Sequence, residues 1–373
     1  MSNTLMNTNN RTDLYRRLDA VFSKQARSKR GGVARGQAAD LQGRVYSAKL
    51  GIDYRYSADG MAKPYHIASI GKLFTTVLIG QLIDSGRLRL EDRIADFLPA
   101  ATLNGLFVYK GHNYESEVTV EHLLGHTSGA ADYFGDKVLT GVPLKRLITE
   151  QQDRIWTPQE LLAISREQQQ AVAPPGTKFH YSDTGYVLLG LLLESVTRET
   201  FEHRIHAKLI EPLQLNDTYM PFRTKPANVP ASDIAPIWFG GHEISGCASL
   251  SCDWSGGGLV STTDDLLAFS RALREGKLLQ PSTLHAMDTI RHRFHPGLHY
   301  GLGTMEVRFE QFFFLLRGLP RYRGHIGVLS THLFWDHETD THIALNFGSE
   351  GAMTQSFKAL IELARILKRF NSR

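Results

Sequence analysis

Apolar and polar positions change period several times along this chain, and each change marks an element. Residues 11–30 repeat at helical spacing among charged positions, which predicts an amphipathic helix. From Arg44 to Tyr56 the period falls to two around turn residues, as in paired strands. From Ser69 to Ser85, Leu73, Val77, Leu78 and Leu82 recur at helical spacing, and Gly86 follows as a stop. Helical patterns return at 119–125, 158–172 and 184–198, separated by loops such as Pro174-Pro175-Gly176. After Gly256-Gly257-Gly258 a helix is predicted at about 262–275, then strand-like runs at 300–317 and 328–347, and a closing helix at about 354–369. Strands towards both ends with helices between them predict an α+β fold: one sheet, completed late in sequence, flanked by helices and interrupted by a helical insertion. The expected division is a basic helical arm over 1–40, a sheet-containing domain from 41–77 and 256–373, and an all-helical domain over 78–255.

Composition changes this picture little. At 373 residues, 42% of them hydrophobic and 21% charged, the chain can bury a large core. The net charge of +4 is concentrated at the start, where residues 1–35 hold eight Lys/Arg against Asp13 and Asp19. That arm reads as a solvated helix face, with no nucleic-acid partner expected. The first thirty residues lack the unbroken apolar core of a secretory signal, and the longest apolar stretch, Tyr186 to Leu193, is closed by Glu194 and too short to span a bilayer. A cytoplasmic protein without a membrane partner is therefore expected. Cys247 and Cys252 sit in a glycine- and serine-rich loop and read as two reduced thiols.

Candidate chemistry begins at Ile67-Ala68-Ser69-Ile70-Gly71-Lys72, where a serine and a lysine three residues apart open an apolar helix. Both side chains then rise on one face, a turn apart. Serine needs a base to become a nucleophile, and the N–H groups of a helix start favour negative charge on its oxygen. A second candidate is Phe179-His180-Tyr181-Ser182-Asp183-Thr184-Gly185, a polar turn running straight into an apolar helix.

Together these segments resemble the large family of class C β-lactamases, low-molecular-weight D,D-peptidases, D-aminopeptidases and family VIII carboxylesterases. Its pattern is Ser-x-x-Lys, then Tyr-x-Asn, then Lys-Thr-Gly or His-x-Gly on a late strand, and the third element is similar to Arg323-Gly324-His325-Ile326-Gly327-Val328. Val120 to Gly129, with its His-Thr-Ser-Gly end, Pro174 to Phe179, and Gly256 to Leu266 also resemble family stretches, in the same order. The resemblance implies a β-lactamase/transpeptidase-like fold with a mostly antiparallel sheet, and a serine hydrolase that cleaves an amide or ester through an acyl-enzyme on Ser69. It implies Lys72 and Tyr181 as proton-handling partners, and the backbone N–H groups of Ser69 and Val328 as an oxyanion hole. Gly327 would allow close approach at the strand, and His325 would support the Tyr181 network or a substrate carboxylate. A small molecule or short peptide is the implied partner and no cofactor is implied; the oligomeric state stays open.

One position departs from the pattern: the usual asparagine is Asp183, which accepts hydrogen bonds but does not donate. It is expected either to face the substrate, favouring an ammonium or N–H donor, or to cap the following helix, and near Lys72 it would hold the lysine protonated. Aligning Ser182-Asp183-Thr184 with the class A Ser-Asp-Asn motif fails for want of a later Lys-Thr-Gly. Two other readings compete: a non-catalytic binding protein that uses the same cleft, and a metal-dependent hydrolase built on His122 and His126.

Overall fold

A computed structural model describes residues 8–27, 40–225 and 233–371. Its centre is an eight-stranded sheet of β1 (Gln42–Ser47), β2 (Ile52–Ser57), β3 (His292–His295), β4 (Leu298–Tyr300), β5 (Met305–Val307), β6 (Tyr322–Gly327), β7 (Thr331–Asp336) and β8 (Thr341–Asn346). The order is β2-β1-β8-β7-β6-β5-β4-β3, and every neighbouring pair is antiparallel. The early hairpin joins the late strands through β1 and β8, where Val45 lies opposite Ile343.

Both faces of the sheet are covered, so β7 and β8 are buried along their length. Phe334, Ile343 and Leu345 pack with Leu14, Leu18 and Phe22 of α1 (Thr8–Arg27) and with Leu360 and Leu363 of the closing helix. Leu333, Trp335 and Ala344 join the opposite cluster, which contains α2 (Gly71–Asp84), α3 (Asp183–Thr197) and α4 (Thr263–Arg274). The closing helix, α5, spans Met353–Asn371. Burial on both faces explains why Leu333-Phe334-Trp335 and Ile343-Ala344-Leu345 are unbroken apolar runs rather than alternating ones. Of the basic arm, only α1 is described; residues 28–39 lie outside the described residues.

Three segments differ from the sequence expectation. The helix expected over 158–172 is Pro158–Gln168, started by a capping box of Thr157 and Glu160. It ends because Gln169 takes an extended backbone and its amide donates to the carbonyls of Asp132 at 2.8 Å and Asp136 at 3.1 Å. The expected strand over 300–317 ends at Val307 and gives way to short turns at Phe309–Gln311 and Phe314–Leu316. The edge strand β3, polar and exposed at alternate positions, gives no apolar run to read.

Candidate active site

Ser69 lies in a single 3-10 turn, Ala68–Ile70, between the short strand Tyr65–His66 and α2. Ala68 has φ of 49°, a left-handed conformation that costs a non-glycine residue about 1–3 kcal/mol. Its surroundings hold it there. A Cβ on Gly257 would come within 2.6 Å of the Ala68 carbonyl carbon, and one on Gly327 within 2.7 Å of the Ile67 oxygen. The two glycines thus let chain segments from both sides close on the turn, and Thr331 Oγ1 donates to the Ile67 carbonyl at 2.9 Å.

Lys72 is fully buried one turn further on, and its Nζ donates to Ser69 Oγ at 3.1 Å and to the Gly256 carbonyl at 2.8 Å. Its third contact is Asp183 Oδ1. An ammonium has three N–H donors, and these three acceptors use them all. Burial opposes the charge, but Asp183 and the neighbouring Tyr181 and Asp253 outweigh it and hold the lysine above its ordinary range.

The Tyr181 ring packs 5.1 Å from Lys72 Nζ, and its hydroxyl interacts with Ser69 and Lys72. Burial holds the phenol protonated well above the usual tyrosine range, although Lys72 pulls the other way. Its backbone is bracketed by His126: His180 N–H donates to the His126 carbonyl at 2.8 Å, and Ser182 N–H donates to His126 Nδ1 at 3.1 Å. Ser69, Tyr181, Gly327 and Val328 line a cleft of about 290 Å³ together with Phe294, His295, Leu298, Met305, Ile326, Met353 and Phe357.

Asp183 and His325 are not where a substrate-facing role would need them. Asp183 is buried against Lys72, does not line the cleft and makes no side-chain cap; α3 begins at Asp183 itself, after Ser182. Its carboxylate is committed to the ammonium, which outcompetes the backbone N–H groups of the helix. His325 is completely buried behind the strand. Its Nδ1–H donates to the Ile326 carbonyl at 2.7 Å, so its Nε2 accepts from the Tyr300 hydroxyl at 3.2 Å. Because His126 Nδ1 accepts from Ser182, His126 Nε2 carries the proton and donates to the same hydroxyl at 3.1 Å. A buried relay therefore runs from the residue after Tyr181 to the strand beside Ser69. Burial, reinforced by Lys72, keeps both rings neutral, with His325 lowered to about 3.

His122 and His126 do not share a helix face. The helix ends at Leu124, His126 has φ of 54°, and His122 Nδ1 accepts from Thr119 N–H as half of a capping box. Among the described residues no three His, Cys, Asp or Glu side chains gather in a way that could hold a metal ion. Both cysteines are free and buried. No helix among the described residues is long and apolar enough to cross a membrane.

Asp132 and Asp253 were not singled out from the sequence. Asp132 accepts from the N–H groups of Asp183 at 3.0 Å and Gly135 at 2.9 Å, yet burial and the Asp183 charge raise it to about 7. Asp253, just before the glycine run, is also raised to about 7 by burial and Asp183. Nothing in the local pattern marks them, because Asp132 meets Asp183, and Asp253 meets Asp183 and Lys72, only through tertiary packing.

Residues 26–363 match the family described as Beta-lactamase. Penicillin-binding protein 4 of Amycolatopsis lactamdurans is 30% identical over 155 residues, covering 41% of this chain and 35% of that protein. This chain thus matches only about a third of the length of that relative. The structure of a D-stereospecific amidohydrolase from Streptomyces sp. superposes with a TM-score of 0.73 at 24% identity, covering 94% of this chain and 98% of the other. That of the D-amino acid amidase from Ochrobactrum anthropi SV3 complexed with L-phenylalanine amide gives 0.75 at 21% identity, covering 96% and 99%. Both share this fold.

Proposed function

Since the chain belongs to the beta-lactamase family of serine hydrolases, we propose that it cleaves an amide or ester of a small molecule or short peptide through an acyl-enzyme on Ser69. The observation that carries this reading is the position of Lys72 Nζ, 3.1 Å from Ser69 Oγ and 5.1 Å from the Tyr181 ring, with Ser69 and Tyr181 lining the same cleft.

The protonation states select a proton route. Lys72 is charged with all three N–H groups engaged, so its part is to stabilise negative charge growing on Ser69 Oγ. Tyr181 is neutral and acts as a relay: as Oγ bonds to the substrate carbonyl carbon, the serine proton passes to the tyrosine oxygen while the tyrosine proton passes to the leaving nitrogen or oxygen. No free phenolate is needed. The carbonyl oxygen is received by the backbone N–H groups of Ser69 and Val328. Water then takes the leaving group's place, and the same relay runs in reverse to release the acid. His325 and Gly327 are positioning elements in this scheme, and Asp183 sets the charge of Lys72.

The test is intact-protein mass spectrometry after exposure to a fluorophosphonate, a penicillin and p-nitrophenyl esters. A single covalent adduct that disappears in Ser69→Ala is expected. Turnover that survives Ser69→Ala and is abolished by a chelator overturns the reading in favour of a metal hydrolase. A correctly folded wild type that forms no adduct and turns over no substrate supports a binding protein instead.

A further inference from the structure

The cleft beside Ser69 is lined by Phe294, Leu298, Met305, Ile326, Met353 and Phe357, with His295 as its one imidazole, and among the described residues no carboxylate, lysine or arginine faces it. Asp183, the one carboxylate expected there, is consumed by Lys72. An ammonium on the acyl side of a substrate would find no carboxylate here, and burying it unpaired is costly.

The apolar lining does not stop at the cleft. Phe357 meets Phe312 edge-on, with ring centroids 5.6 Å apart. Phe312 covers Gly297, where an added Cβ would come within 2.4 Å of its ring, and it opens the run Phe312-Phe313-Phe314-Leu315 between β5 and β6. Phe313, Phe314 and Leu315 are 49%, 69% and 64% exposed. Three large apolar side chains in sequence, held in solvent on a short turn, call for an occupant, and Phe312 at the head of their run is what meets Phe357 of the cleft.

We propose that this lip and the cleft form one acyl-binding track, and that the substrate is an uncharged ester of a medium to long alkyl acid, its carbonyl at Ser69 and its chain running past Phe357 onto the lip. The proposal rests on the acyl-enzyme reading of Ser69. The cleft of about 290 Å³ is large enough for a medium-length acyl chain, and the longest chains reach the lip.

The experiment measures kcat/KM for p-nitrophenyl acetate, butyrate, octanoate and dodecanoate below their micellar concentrations, with D-phenylalanine amide as the charged comparator. Wild type and the Phe314→Ser/Leu315→Ser double variant are compared, with thermal unfolding as the fold control. In wild type kcat/KM is expected to rise through dodecanoate, by up to about fourfold per methylene, with D-phenylalanine amide a poor substrate. In the variant the dodecanoate-to-octanoate ratio is expected to fall at least tenfold. Phe357→Ala is expected to lower the octanoate-to-acetate ratio, which places the effect inside the cleft as well. Acetate turnover with a flat chain-length profile in wild type overturns the acyl track but leaves Ser69 as the nucleophile. A rising profile that the lip variant does not change overturns the role of the lip. So does a concentration-dependent dimer, or binding to phospholipid vesicles, that the variant abolishes while the chain-length ratios stay put. No turnover of any ester, with no fluorophosphonate adduct, means that the acyl-enzyme reading itself has failed.

Discussion

Replacing Asp183 by asparagine removes one negative charge from beside Lys72 while keeping an oxygen that can accept its N–H. Asp183 is the strongest influence raising the lysine, so the variant isolates a Coulomb effect. Two unit charges about 4 Å apart at an effective dielectric of about 20 interact by about 4 kcal/mol, equivalent to about three pKa units. The retained hydrogen bond and the nearby Asp253 reduce this, so Lys72 should titrate about one to three units lower in Asp183→Asn. That returns the lysine towards its ordinary range, so the neutral amine becomes available as a base only at alkaline pH. The assay is the rate of fluorophosphonate labelling of Ser69 from about pH 6 to 11 in both proteins, with thermal unfolding to confirm the fold. The rising alkaline limb should begin at lower pH in the variant, with labelling at neutral pH little changed because Lys72 stays protonated there in both proteins. Because Asp183 does not line the cleft, acylation by an ester, an amide and a cephalosporin should change by similar factors. Superimposable pH profiles would refute the argument that Asp183 governs the charge of Lys72, and a selective change for one substrate would place the carboxylate at the substrate after all.

Lys72→Ala and Tyr181→Phe should each slow acylation by about 10²–10⁴, and the double variant should lose far less than the product of the two; losses that multiply in burst kinetics would show independent roles. Tyr300→Phe removes the hydroxyl that accepts from His126 and donates to His325. At about 1–3 kcal/mol for each buried nitrogen left unpaired, urea unfolding should show a loss of about 2–5 kcal/mol; a loss under about 0.5 kcal/mol would mean that the relay carries no stability. Asp253 is raised from 3.8 to about 7 in the fold, so the stability linked to its protonated form is full below about pH 4 and is lost as pH rises through about 7. Asp253→Asn should therefore flatten the decline in stability between about pH 4 and 7, by up to about 4 kcal/mol at about 1.4 kcal/mol per pH unit; an unchanged slope in denaturation would contradict the assignment.

Much of this protein is legible from local pattern, because local physics decides it. The 3.6-residue period of α2 and α4, the hairpin of β1 and β2, and the Ser69-x-x-Lys72 spacing that puts hydroxyl and amine one turn apart depend on residues near in sequence. Where reading failed, the deciding partner was remote. Gln168 ends a helix because Gln169 finds carbonyls at 132 and 136. The apolar run after Val307 forms turns, and its exposed aromatic tip has no period to announce it.

The sequence by itself determined most of the helices, the early hairpin, the order of the three motifs and, through family resemblance, the proposed nucleophile, lysine and tyrosine, since these rest on residues near in sequence. Only the tertiary structure decided what those groups face. Asp183 meets Lys72 across 111 positions, and Tyr300 meets His126 and His325 across 174 and 25. The protonation of Lys72 and Tyr181, and hence the direction in which protons move, depends on how many charges and donors share a small buried volume. Burial and through-space charge are properties of distance, and folding sets distances between residues that the linear chain keeps apart.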